Sequence, residues 1–202
     1  MCFSFRASLG TFIFSWASCI YLLNKGLSEA NRHSVVFLMI FSSMQLSDAI
    51  LWYTGMKKNT INYLTTSVLI PLILSLQVLY NIYIRNRKKN KEKNKNKNKN
   101  KNKNRIITVF TSLIILYLFY RFNGYSRPLC SNKLSSPVWA SKEIQLWELI
   151  VFATIIIYPN WKVIAYIVFI VFPLIFILSG GGYGSLWCAV ANILAIYYLY
   201  KY

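Results

Sequence analysis

Residues 34–54 read SVVFLMIFSSMQLSDAILWYT. This stretch is as long as a bilayer-crossing helix, for which about 20 mostly apolar residues suffice, and it carries a single charged side chain, Asp48. A carboxylate inside hydrocarbon is costly, so an intramembrane acid marks a functional position by default. Gln45 and Asp48 stand three apart and Trp52 follows four later, which puts all three on one face of a helix.

The rest of the chain repeats the first half of that pattern. Of its 202 residues 56% are hydrophobic and 14% are charged, whereas soluble domains carry about 25% charged residues. Apolar runs bounded by charges or turn residues predict seven spans, at 7–24, 34–54, 62–84, 106–121, 144–158, 162–179 and 183–200. The fold expected is an all-α polytopic integral membrane protein. It divides into 1–84 with helices one to three, a Lys/Asn-rich segment 85–105, and 106–202 with helices four to seven. The first run lacks a basic n-region and a small-residue cleavage site, so it reads as a retained span rather than a signal peptide. The fifth is short and ends at Tyr158-Pro159-Asn160, which predicts a tight hairpin with the sixth and leaves open whether helix five crosses fully.

Lys and Arg set the orientation, because cytoplasmic loops carry their excess. With the N-terminus outside, the inner regions hold 16 basic residues and the outer regions 7. The expected topology is N-outside, C-cytoplasmic, and the segment 85–105, with 12 basic residues, supplies the margin. Its Lys/Asn alternation has no apolar face to bury and repels itself, so a disordered cytoplasmic loop is expected. Two origins fit it: a polybasic contact for anionic lipid, or an expanded codon repeat tolerated in solvent. It lacks the aromatic residues on which single-stranded nucleic acid stacks, and no specific nucleic-acid partner is expected. The bilayer is the partner the sequence requires; whether copies of the chain associate stays open.

The polar residues inside the spans carry the functional reading. Ser4, Ser8, Thr11, Ser15 and Ser18 recur at spacings of four, three, four and three, one stripe along helix one. Small hydroxylated residues at this period let helices approach closely and hydrogen-bond across the seam, so helix one is expected to pack on helix two facing Ser42, Gln45 and Asp48. Helix three adds Gln77 and Asn81, helix seven adds Cys188 and Asn192, and Pro71 and Pro173 should kink helices three and six. Glu148, three after Gln145, is the second acid within a span. The candidate intramembrane site is therefore Ser8, Thr11, Gln45, Asp48, Trp52 and Glu148. For Asp48 a conduction or ligand site and a hydrogen-bonded interhelical clamp are both open, whereas Glu148 reads more simply as an acid at a helix end.

Several chemistries lack their residues. The single histidine, His33, cannot assemble the several converging ligands of a zinc site, and its expected place in the short loop before helix two is the wrong one for the base of a hydrolase triad. Helix seven has no internal lysine to hold retinal, and the receptor motifs Asp-Arg-Tyr and Asn-Pro-x-x-Tyr are missing. The run 179–185, SGGGYGS, has no following Lys-Ser or Lys-Thr, so it reads as a turn rather than a phosphate loop. No metal, cofactor or catalytic residue is expected. Cys2, Cys19, Cys130 and Cys188 form no Cys-x-x-Cys; Cys2 and Cys130 would share the outer face, where a disulfide is open.

The opening Met1-Cys2-Phe3-Ser4-Phe5-Arg6-Ala7-Ser8, taken with Met44 to Trp52, resembles an uncharacterised family of multi-pass membrane proteins of large DNA viruses. The likeness covers about the first 55 residues. It lies in a Met-Cys-x-Ser start with a second serine four on, and a Gln-x-x-acid followed by Trp in the second helix. This chain has Asp48 where glutamate is commoner. The resemblance implies a viral protein of a host-cell or virion membrane and singles out Cys2, Ser4 and Ser8 as an N-terminal motif. Two functions remain in play: a transporter or channel-like protein with its polar site at helices one and two, or a non-enzymatic envelope or host-membrane protein in which the same residues clamp helices. A lipid-modifying enzyme using Asp48 as acid or base is a weaker third.

Overall fold

Ser4 opens the first helix, its hydroxyl accepting from the Ala7 amide at 3.2 Å, as a serine N-cap does. The computed structural model describes residues 4–92, 99–130, 135–140, 144–157 and 183–202. Helix α1 spans Phe5–Asn24 and stops at Gly26, whose φ of +72° suits a residue without Cβ. Helices α2 (Glu29–Ser42) and α3 (Met44–Tyr53) are consecutive pieces interrupted at Ser43. There the Ser42 and Ser43 hydroxyls both donate back to the Met39 carbonyl, at 3.1 and 2.8 Å, and such back-bonding bends helices. A Schellman cap ends α3: the Met56 amide donates to the Leu51 carbonyl and the Gly55 amide to Trp52, both at 3.0 Å.

After the short α4 (Thr60–Leu64) the chain enters a π-helical turn, Thr65–Leu69, before α5 (Ile70–Glu92). Pro71 lacks an N–H, so the backbone must rearrange just before it. The kink expected there takes this form: the Ile70 amide reaches the Thr65 carbonyl, five residues back. The wider turn buries three consecutive polar residues, Thr65, Thr66 and Ser67, which an ordinary helix with its 100° step would spread around its circumference.

Helix α6 is Lys99–Arg121, strands β1 (Arg127–Cys130) and β2 (Ser135–Val138) pair antiparallel, and α7 (Leu146–Ile157) and α8 (Tyr183–Lys201) follow. Helix α1 packs on α2, α3 and α8, while α5 packs on α2, α6 and α7. Phe5 lies 5.5 Å from Tyr53 at one end of the bundle, and Tyr198 and Tyr202 join Leu22 and Val35 at the other.

Two expectations are corrected. The fold is predominantly helical but not all-α: the Pro- and Ser-containing segment 127–138 forms a hairpin pairing Arg127 with Val138 and Pro128 with Pro137, and strands this short leave no readable alternation. The Lys/Asn segment, expected to be disordered throughout 85–105, is helical through Glu92 and again from Lys99. Lys and Arg are good helix formers, the apolar part of each helix supplies the nucleus that elongation needs, and Arg87 is tied to Glu29 at 3.0 Å. The sixth span, Pro173, Cys2 and most of the run 179–185 lie outside the described residues.

Among the described residues three helical stretches are long and apolar enough to cross a membrane: Phe5–Asn24, Glu29–Tyr53 and Thr60–Arg87. The burial pattern differs from that of a soluble bundle: polar side chains share the core with apolar ones such as Leu22, Leu38 and Leu51, and large apolar side chains cover the outside. Ser8, Ser15, Gln45, Asp48 and Gln77 are fully buried, while Leu113 and Leu116 are 59% and 66% exposed. Apolar side chains outside and polar ones inside suit a hydrocarbon solvent.

Candidate functional site

Helix one presents its stripe as expected, and the stripe then divides. Ser8, Ser15 and Ser18 are buried, whereas Ser4 caps the helix. Thr11, half-buried, spends its hydroxyl on the Ala7 and Ser8 carbonyls at 2.9 and 3.0 Å. Ser15 donates across the bundle to Asn192 Oδ1 at 3.1 Å, which brings helix α8 against α1 through one of the polar pairs anticipated there.

Gln45 and Asp48 are fully buried on α3, with Trp52 half-buried among the same helices. The Asp48 carboxylate accepts from the Trp139 indole N–H at 2.8 Å. Trp139 directly follows β2, is itself 5% exposed, and meets Phe122 edge-on at 6.3 Å. Asp48 lies five residues from the end of α3, about 7.5 Å at 1.5 Å per residue, so this contact sits toward the hairpin end of the bundle rather than at its middle.

The base of the hairpin is fastened by a polar network on the π-helical turn. Asn62 donates to the Ser126 carbonyl at 2.9 Å and accepts from the Ser126 amide at 2.9 Å. Thr66 and Ser126 hydroxyls meet at 2.7 Å, and Ser67 accepts from the Gly124 amide at 2.9 Å. The turn that Pro71 requires thus aims its hydroxyls at residues 124–126.

Glu148 is not brought to Asp48. It accepts from Arg121 Nε at 2.7 Å and Nη2 at 3.1 Å, from the Tyr117 hydroxyl at 2.5 Å, and from the Gln145 amide at 2.8 Å. Its side chain and that of Arg121 are 11% and 13% exposed. The simpler reading of Glu148 as a helix-end acid therefore understates it: it is the acceptor of a bidentate ion pair. Both groups border a cavity of about 110 Å³ with otherwise apolar walls, among them Leu74, Trp147 and Trp139. Trp139 stands between the two acids, bonded to one and lining the cavity that holds the other.

A third set of polar groups has no such partners. The hydroxyls of Ser8, Ser47 and Ser75, the Trp16 indole N–H and both amide atoms of Gln77 are buried without a hydrogen-bond partner among the described residues. Gln77 lies near the middle of the Thr60–Arg87 stretch. Among the described residues no three His, Cys, Asp or Glu side chains converge as metal ligands.

Trp139 and the Asn62–Thr66–Ser126 network were not legible as site residues. The available signal was the need of a buried tryptophan N–H for an acceptor and of a buried acid for a donor. No protein-family model, curated protein or solved structure matches this chain.

Proposed function

We propose that the chain is a seven-span membrane protein, N-terminus outside and C-terminus cytoplasmic, that moves a proton, an ion or a small polar solute along the seam between α1, α3 and α5. The observation that carries this is the set of buried, unpartnered polar atoms on those helices, above all the Gln77 amide near mid-span. Burying an amide without a hydrogen bond costs about 1–3 kcal/mol by protein mutational measures, and water or a polar solute passing the site would offset that cost. Trp139, bonded to Asp48, closes the hairpin end of the seam. Proton and cation flux into liposomes containing the purified protein tests the proposal. Flux in the parent that is lost in folded Gln77→Leu and reduced in Asp48→Asn supports it, and no flux from folded parent protein sinks it.

A second reading is favoured by the satisfied pairs. In a viral envelope or host-membrane structural protein, Asp48–Trp139 and Glu148–Arg121 would hold helices and hairpin together with no solute involved. The resemblance to viral membrane proteins fits either reading. The basic tract would add contact with anionic lipid at the cytoplasmic face.

A further inference from the structure

A cavity of about 190 Å³ lies near the end of the bundle from which α5 runs on into the Lys/Asn tract. Its wall mixes polar and aromatic side chains: His33, Ser34 and Phe37 from α2, Tyr80 and Asn81 from α5, and Tyr198 from α8. His33, the single histidine of the chain, has Nδ1 at 3.1 Å from the Tyr80 hydroxyl and Nε2 at 3.8 Å from Glu29. Asn81 spends its amide N–H on the Ile155 carbonyl at 3.0 Å.

The charge balance selects the ligand. Glu29 is the acid beside this cavity, and Arg87 neutralises it at 3.0 Å. Arg32, next in sequence to His33, is exposed. Lys201 stands over the rings of Tyr197 and Tyr202, at 5.5 and 5.2 Å, on either side of Tyr198 in sequence. The Ser34 hydroxyl is turned to the Ala30 carbonyl at 3.3 Å, so what remains is a wall of imidazole and phenols with surplus positive charge on neighbouring residues. Such an arrangement suits an anion with several acceptor oxygens, and basic pockets between membrane helices on the cytoplasmic side bind lipid head groups.

We propose that this cavity binds a phosphate monoester, its oxygens met by His33, Tyr80 and Tyr198, with the exposed Arg32 beside His33 in sequence adding positive charge. The site is separate from the seam between α1, α3 and α5 and does not depend on transport. The monoester belongs either to an anionic lipid or to a soluble metabolite, and two probes distinguish them. The full-length protein is placed in phosphatidylcholine nanodiscs and titrated with phosphatidic acid, and in a parallel series with glycerol 3-phosphate.

Saturable binding of phosphatidic acid alone assigns a lipid head group; saturable binding of both assigns the phosphate itself. In either case Arg32→Gln with Tyr80→Phe should weaken binding at least tenfold, while Lys→Gln replacement across 89–103 leaves a saturable component. His33→Gln is the gentler variant should the double substitution fail to fold, with the same direction expected. Saturable binding of neither probe overturns the proposal. So does an affinity unchanged by His33→Gln and by the double variant, or one lost entirely with the basic tract.

Discussion

The hairpin end of this bundle and the middle of α5 treat most buried polar groups differently. At the hairpin end Asp48 is bonded to Trp139, Asn62 and Thr66 to Ser126, and Glu148 to Arg121 and Tyr117, with only the Ser8 and Ser47 hydroxyls nearby left without a partner among the described residues. In the middle of α5, Ser75 and Gln77 are buried without a partner among the described residues. A satisfied network rigidifies, and a partly satisfied one is costly wherever it is retained. The difference separates residues that hold the fold from residues whose retention asks for another explanation.

The largest effect should come from breaking the ion pair. Arg121→Ala strands the Glu148 carboxylate in an apolar cavity, and removing one partner of a buried pair costs about 3–5 kcal/mol. Denaturant or SDS titration of the detergent-solubilised protein should show a loss of that size. Glu148→Gln combined with Arg121→Met, which leaves no buried charge, should recover most of it. Equal losses in the single and double variants would mean that the pair acts through specific geometry instead.

Next come the hydrogen bonds that fasten the hairpin. Asn62→Ala strips the Ser126 carbonyl of its Asn62 bond and leaves the Ser126 amide with only its 3.2 Å bond to the Thr66 hydroxyl, and an unsatisfied buried group costs about 1–3 kcal/mol. Trp139→Phe removes the donor to Asp48 and part of the ring volume that Trp139 packs into the core, and should cost about 1–2 kcal/mol for the lost bond plus the loss of packing. Hydrogen exchange should report both as faster exchange at 122–140 than in α1 and α2. Uniform acceleration across the bundle would mean that the hairpin does not open by itself. Asp48→Asn keeps the acceptor oxygen and should be milder than Trp139→Phe.

These ranks also show what the sequence could carry. The stripe on α1 and the Gln45–Asp48 face on α3 were legible because helical period alone brings such residues together. Membrane-length spans were legible for the same local reason: length and apolarity are properties of one segment. Trp139 was not, because its bond to Asp48 joins residues 91 apart through a hairpin too short to show alternation. The π-helical turn was half legible: Pro71 announced a disturbance, but three consecutive buried hydroxyl residues follow from a wider turn that no period predicts. Helical continuation into the Lys/Asn tract was missed because composition was read in isolation from the apolar helices that nucleate it.

The smallest expected stability change tests the middle of the bundle. Gln77→Leu replaces an amide that has no hydrogen bond among the described residues by an apolar side chain of similar size, so it removes a desolvation cost and breaks no bond seen there. If the bundle is only a scaffold, the variant should be as stable as the parent or about 1 kcal/mol more so, with no other consequence. If polar traffic passes Gln77, stability behaves in the same way while liposome flux falls. Marked destabilisation would refute both outcomes, since it would mean that the amide is satisfied in the membrane by a partner essential to the fold. Gln77→Glu sharpens the reading: an unpaired carboxyl at that depth should destabilise a dry interior strongly and a hydrated one much less, because water can meet the group only where the interior admits it.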